Sequence, residues 1–242
     1  MASERTRSDN DLNPGFDNHP EQRPAAVLAP IIKRAGGWTM LFTARSVETP
    51  AHPGQISFPG GRVQASDANA VDTALRETFE EVGLDRRFIE PIGAWDRYDT
   101  ITGFRVTPIV GLVEPGFDLK LDPREVASAF EAPLDFLMNP ANHEVREAQW
   151  QGRTRYYYVM PWQGHNIWGA TAGMVRALWE SGCMGERIDR RVVLAMIALS
   201  ALGACSRPVA TVTFTVEPQA IAEVREAVRT FAASHHYEQA EV

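Results

Sequence analysis

The sequence predicts an α+β fold, a mixed β-sheet with helices on its faces, on three observations. Strand-like and helix-like segments mix without a βαβ rhythm or an internal repeat. Two apolar strand candidates meet at Gly36-Gly37, a hairpin signal. A loop punctuated by Pro and Gly then runs straight into a helix with one apolar side.

The elements follow in order. Met1 to Pro24 is polar, charged and Pro-rich, and reads as a mobile, disordered leader with no secretory signal. "AAVLAPII" (Ala25 to Ile32) and "WTMLFTAR" (Trp38 to Arg45) form the hairpin. A short strand at "QISF" lies inside the loop before Gly60-Gly61. "DANAVDTALRETFEEVG" is a helix, with Asp67 as a plausible N-cap and Gly83 as the stop. "IEPIGAWDRYDT" and "FRVTPIVGLVE" have strand character, and "PREVASAFEAPLDFLM" reads as helix-like. "TRYYYVMPW" is a strand, and "ATAGMVRALWESG" is a helix ending at Gly182.

Residues 25–182 are thus expected to form the working domain, and residues 183–242 an appendage. Within the appendage, Val192 to Cys205 is continuously apolar, but its fourteen residues fall short of the ~20 that a spanning helix needs. It reads as a buried helix, with a fusion boundary or a membrane-touching segment as alternatives. "VATVTFTV" then alternates like a half-buried strand, and an amphipathic helix follows.

Composition narrows the function. A hydrophobic content of 44% with 23% charged residues suits a soluble protein with a core. The net charge of −7 argues against nucleic acid as a partner. An anionic small molecule remains accessible to such a chain if a metal ion or a few local arginines neutralise it. Two cysteines, Cys183 and Cys205, make no disulfide framework and point to a reducing, cytoplasmic compartment.

The chemistry concentrates in "RETFEEVG". Glu77, Glu80 and Glu81 cover about a third of a helix circumference, where like charges repel. Hard divalent cations such as Mg²⁺ take oxygen ligands from carboxylates, water and phosphates, and would turn that repulsion into coordination. Gly60 and Gly61 let backbone pass close to a ligand, and Arg76 has the planar fork that holds a carboxylate or contacts phosphate. These parts suggest metal-assisted attack of water on a phosphoanhydride.

Gly61, Asp67, Arg76, Glu77, Glu80, Glu81 and Gly83 together resemble the signature of the Nudix hydrolases, a family whose fold is an α/β/α sandwich around a mixed sheet. Asp67 stands where most of the family has Glu, nine positions separate it from Arg76 instead of eight, and Thr78 replaces an apolar residue. These departures, with "LFTARS", "GQISFPGG", "TGFRVTPIVG" and "IWGATAGMVRAL", resemble one branch, the coenzyme A pyrophosphatases.

The resemblance implies Mg²⁺ or Mn²⁺ as cofactor and a nucleotide of the coenzyme A type as substrate, with another nucleoside diphosphate derivative, such as ADP-ribose or a reduced nicotinamide dinucleotide, as the alternative. It makes Glu77 and Glu81 the first metal ligands and Glu80 either a third ligand or the water-activating base. Glu125 is a candidate remote base or a plain surface glutamate. Asp67 and Arg76 brace the loop against the helix. The branch usually carries Arg where this chain has Pro50, so Arg45 is a candidate substrate contact, with a solvent-facing role as the alternative.

Weaker candidates complete the reading. Trp38, Trp95, Trp162 and Trp168 suit an adenine stack or the core, while His52 and the pair His235-His236 read as surface. A non-catalytic binding module of the same fold is disfavoured because all three glutamates are retained.

Overall fold

The computed structural model describes residues 6–17, 19–47, 54–150 and 152–183. The expectations for 184–242, Pro50 and His52 therefore lie outside the described residues. The strands are β1 (Thr6–Ser8), β2 (Arg23–Arg34), β3 (Gly37–Arg45), β4 (Ile56–Ser57), β5 (Gly60–Arg62), β6 (Ile89–Ala94), β7 (Arg97–Asp99), β8 (Phe104–Val113), β9 (Val126–Pro133), β10 (Glu144–Trp150), β11 (Arg153–Trp162) and β12 (His165–Trp168). The α-helices are α1 (Ala70–Val82), α2 (Leu134–Leu137) and α3 (Gly169–Cys183).

The larger sheet is mixed, in the order β1-β7-β8-β2-β3-β4, with β5 on β2, β6 on β8 and β9 on β3. Its long axis is the parallel pair β2–β8, in register from Arg23↔Phe104 to Ile32↔Val113. The hairpin β2–β3 forms as the Gly36-Gly37 signal predicts. A second, antiparallel sheet holds β10-β11-β12.

Alternation divides the core into two layers. Ala26, Leu28, Ile32, Leu41 and Ile109 face α1, burying Ala74, Leu75 and Val82. Ala25, Ala29, Ile31, Phe42 and Val106 face the opposite way, against Met174, Val175 and Leu178 of α3. The result is the mixed sheet between helices that the sequence predicts.

Helix α1 is capped at both ends. Asn69, not the expected Asp67, is the N-cap: its Oδ1 accepts from the backbone N–H groups of Val71 and Asp72 at 2.9 and 3.1 Å. Asp67 lies two positions too early and is committed to Arg76. Gly83 closes the helix at φ +68°, its N–H donating to the Phe79 carbonyl. Thr78 sits buried at an apolar position because its hydroxyl donates to the Ala74 carbonyl at 2.7 Å.

Two further expectations are corrected. The stretch read as a mobile leader contains β1, paired in parallel with β7, and the buried Asn13. Its polar side chains find buried partners, so composition alone misjudges it. The segment read as helix-like around Val126 is mostly strand: β9 pairs with β3, setting Phe130 opposite Phe42, and only Leu134–Leu137 is helical. Cross-strand aromatic packing there outweighs helix propensity.

Candidate active site

Loop and helix meet where Gly60 donates its backbone N–H to Glu81 Oε2 at 3.2 Å. Glu81 is only 5% exposed. Burial pushes its carboxyl up to about 8, and the negative charges of Glu125 and Glu77 push the same way, against the Gly60 hydrogen bond and the Arg45 charge. Burial also raises Glu77, helped by Glu80 and Glu125, while Arg76 opposes. Glu77 lies against Gly61 so closely that a Cβ there would fall 2.5 Å from its carboxyl carbon.

Arg76 fixes the outer wall. Its Nε and Nη2 donate to the two carboxylate oxygens of Asp67 at 2.8 and 2.9 Å. Nη1 donates to both Glu77 and Glu80 at 2.9 Å, and Nη2 also reaches the Arg62 carbonyl at 3.2 Å. Asp67 further accepts from the Gln64 backbone N–H and the Thr73 hydroxyl, at 2.8 and 2.9 Å. With those donors, chiefly Arg76, its carboxyl is held well below the usual carboxylate range. Glu80 remains half exposed, on the outer side of this network.

Two residues distant in sequence complete the cluster. In the β3–β9 ladder Arg45 faces Val126, so Glu125 begins beside it. The Glu125 carbonyl accepts from the Ser46 N–H at 2.8 Å, and the Asp122 N–H donates to the Glu81 carbonyl at 2.9 Å, tying this turn to the end of α1. Arg45 Nε is buried and has no hydrogen-bond partner among the described residues. "TARS" and "GQISF" are joined in β3–β4, where Thr43 pairs Ser57 and Ala44 pairs Ile56.

The structure thus brings Glu77, Glu81, Glu125 and Arg45 within electrostatic reach of one another, beside Gly60-Gly61, with Glu80 and Arg76 on the outer side. Among the described residues, no three His, Cys, Asp or Glu groups stand at mutual ligating distance. Trp95 is core, 2% exposed and bonded through Nε1 to the Met174 carbonyl. Trp38 and Trp162 pack against the core, and Trp168 is exposed, edge-on to Tyr157. Sequence reading missed Gln64 and Thr73 as supports of Asp67, although both lie within six residues of it. Among the described residues no helix is long and apolar enough to cross a membrane.

The NUDIX domain family matches residues 22–166. An uncharacterized Nudix hydrolase, NudL, from Enterobacter sp. is 37% identical over 157 residues, covering 65% of this chain and 81% of the relative. Its namesake in Escherichia coli is 36% identical over 156 residues, covering 64% and 81%. Among solved structures, an Ap4A hydrolase from C. elegans matches with a TM-score of 0.41 at 21% identity, covering 46% of this chain and 80% of that one. RenU, a Nudix hydrolase from M. smegmatis, matches with a TM-score of 0.44 at 14% identity, covering 74% and 97%. The chain belongs to the Nudix hydrolase family.

Proposed function

We propose that this Nudix hydrolase cleaves the phosphoanhydride of coenzyme A or its thioesters, releasing adenosine 3′,5′-bisphosphate and 4′-phosphopantetheine or its acyl form. The observation that carries the reading is the pair of carboxyls, Glu77 and Glu81, packed against the Gly60-Gly61 backbone and near Arg45, whose buried Nε has no partner among the described residues. A carboxyl that burial raises to about 8 is disfavoured as an anion, so a cation that lets it ionise gains a ligand there, and this all-oxygen set suits a hard divalent ion. Glu77 and Glu81, with Glu80 at the rim, would hold Mg²⁺ or Mn²⁺. When bound, the ion supplies charge neutralisation at the phosphate oxygens and acidifies water.

The chain's own residues do the rest. Arg45 contributes a fixed positive charge and a free N–H donor for a phosphate oxygen. Glu125, exposed on the turn tied to α1, takes the proton of the attacking water as its oxygen bonds to phosphorus. The bridging oxygen leaves with the other phosphate, which gains a proton from solvent. Asp67 and Arg76 hold Glu77 and Glu80 in place and do not touch the reacting atoms.

The coenzyme A assignment rests on the flanking segments, since "LFTARS" and "GQISFPGG" form one ladder at the edge of the carboxylate cluster. Pro50, in place of an arginine, favours a second reading in which the substrate is another nucleoside diphosphate derivative. A panel of coenzyme A, dephospho-coenzyme A and ADP-ribose with Mg²⁺, products identified by mass, decides. Faster turnover of ADP-ribose than of coenzyme A would overturn the first reading. Glu81→Gln should lower the rate by well over tenfold, given the several kcal/mol such ions supply.

A further inference from the structure

Arg23 and Arg62 both lie over the ring of Phe104, with guanidinium carbons 4.1 and 5.3 Å from its centroid. Nine of the fifteen described arginines, those at 7, 34, 76, 86, 87, 105, 124, 146 and 176, each hold a carboxylate. Neither Arg23 nor Arg62 has a carboxylate partner among the described residues. Arg23 instead donates to the carbonyls of Thr102 and Gly103, at 3.0 and 3.4 Å, which fixes its head without cancelling its charge. Two exposed cations sharing one aromatic ring repel each other, and each gains only a modest cation–π stabilisation at an exposed site.

Their place in the sheet connects them to the carboxylate cluster. Arg62 is opposite Ala25 in the β5–β2 pair, and Arg23 is beside Phe104 in β2–β8. All share the sheet face of Ala25 and Val106, whereas Gly61 faces Glu77 on the other side. Among the described residues β5 pairs with no strand but β2, and the Gly60 N–H on its other edge donates to Glu81, so Gly61 and Arg62 place the carboxylate cluster and the two arginines one residue apart along the chain. The Arg62 backbone is also anchored, its carbonyl accepting from Arg76 Nη2.

We infer that Arg23 and Arg62 form a clamp for a phosphate monoester carried by the substrate, separate from the phosphoanhydride that is cleaved. A phosphate between two guanidiniums converts their repulsion into charge-assisted hydrogen bonds, and its dianion matches their combined charge. The inference rests on the proposed function in one respect: the reaction that uses such a clamp is hydrolysis of a nucleotide bearing a monoester on its ribose.

The test separates the two. Calorimetry compares adenosine 3′,5′-bisphosphate with adenosine 5′-monophosphate, on the wild-type chain and on Arg62→Gln, Arg23→Gln and the double variant. The wild type should bind the bisphosphate at least about tenfold more tightly, a margin within reach of one charge-assisted contact. That preference should shrink in each single variant and vanish in the double. Arg62→Gln is the cleaner change, because its side chain has no part in holding the 102–103 turn. In turnover, the variants should raise KM for coenzyme A by a similar factor and leave dephospho-coenzyme A unchanged. Equal binding of the two nucleotides by the wild type, or a preference that survives in the double variant, overturns the clamp. Failure of the wild type to hydrolyse either coenzyme A form overturns the proposed function, while the calorimetry still decides the clamp.

Discussion

Glu81, near the end of α1, accepts the backbone N–H of Gly60, twenty-one positions earlier, so one carboxylate fastens the glycine loop to the helix. The two glycines beside this bond do different jobs. A Cβ on Gly60 would fall 2.5 Å from the Ala26 carbonyl oxygen and the Val27 Cα, rigid backbone that cannot give way. The atoms nearest a Cβ on Gly61 would be the carboxyl end of the Glu77 side chain, which can swing aside. Gly60→Ala should therefore destabilise the fold by about 1–3 kcal/mol. Gly61→Ala should leave the melting temperature nearly unchanged and lower kcat/KM by about tenfold or more. Equal stability losses in the two variants, seen by thermal unfolding, would contradict this division.

The raised carboxyl of Glu81 gives the metal-free protein a distinctive pH dependence. Its folded value, near 8, lies above that of an unfolded glutamate, about 4.5, so between these limits the folded state binds more protons. Stability is greatest below the lower limit and declines as pH rises towards the upper one. Glu77 adds in the same direction. Asp67, held low, acts oppositely and only in acid, outside this window. Chemical denaturation in a chelator at pH 5 and pH 8 should show the decline, and Glu81→Gln should flatten it. Added Mg²⁺ should stabilise the protein more at pH 8 than at pH 5, since binding releases the proton.

Arg76 divides its donors between Asp67 on one side and Glu77 and Glu80 on the other. Replacing Asp67 by Asn removes the charge that balances this arginine and one acceptor of the fork. The guanidinium is then drawn further onto the two glutamates, which compete for it with any cation. Asp67→Asn should raise the Mg²⁺ concentration for half-maximal activity by about 10–100-fold, the usual cost of losing a positioning partner. Maximal rate at saturating Mg²⁺ should recover substantially. A metal titration with no shift in midpoint would exclude this role.

Those relationships explain what was legible in the sequence. Helix α1, its glycine stop and the hairpin β2–β3 rest on local signals, namely apolar spacing, Gly83 and Gly36-Gly37, and the structure forms each of them. Glu125 and Arg45 could be nominated individually, but their juxtaposition depends on the β3–β9 ladder, a long-range pairing that no local pattern shows. The same ladder is why β9 was misread, since Glu, Ala and Phe are tolerable in either state until Phe130 meets Phe42. Strand β10 is exposed throughout and carries no alternating apolar signal, so only its pairing with β11 defines it.

The N-terminal segment is the clearest case of order hidden by polarity, and it yields a prediction of its own. Asn13 is 3% exposed and acts as a substitute strand: its Oδ1 accepts from the Tyr156 N–H at 2.8 Å, while its Nδ2 donates to the Tyr156 carbonyl at 2.9 Å. Asp9 accepts from the Tyr98 hydroxyl and the Ile101 N–H, and Arg7 pairs with Glu180 of α3. The segment thus joins β7 of the large sheet to β11 of the small one. Asn13→Ala would leave two backbone groups of β11 without their partner and should cost about 1–3 kcal/mol, lowering the melting temperature by several degrees. Deleting residues 1–16 should cost more, because Asp96, Tyr98 and Glu180 each lose one partner at once. If the truncated chain melts with the full-length protein, the polar N-terminus is a passenger after all and the two sheets hold together through their apolar contacts alone.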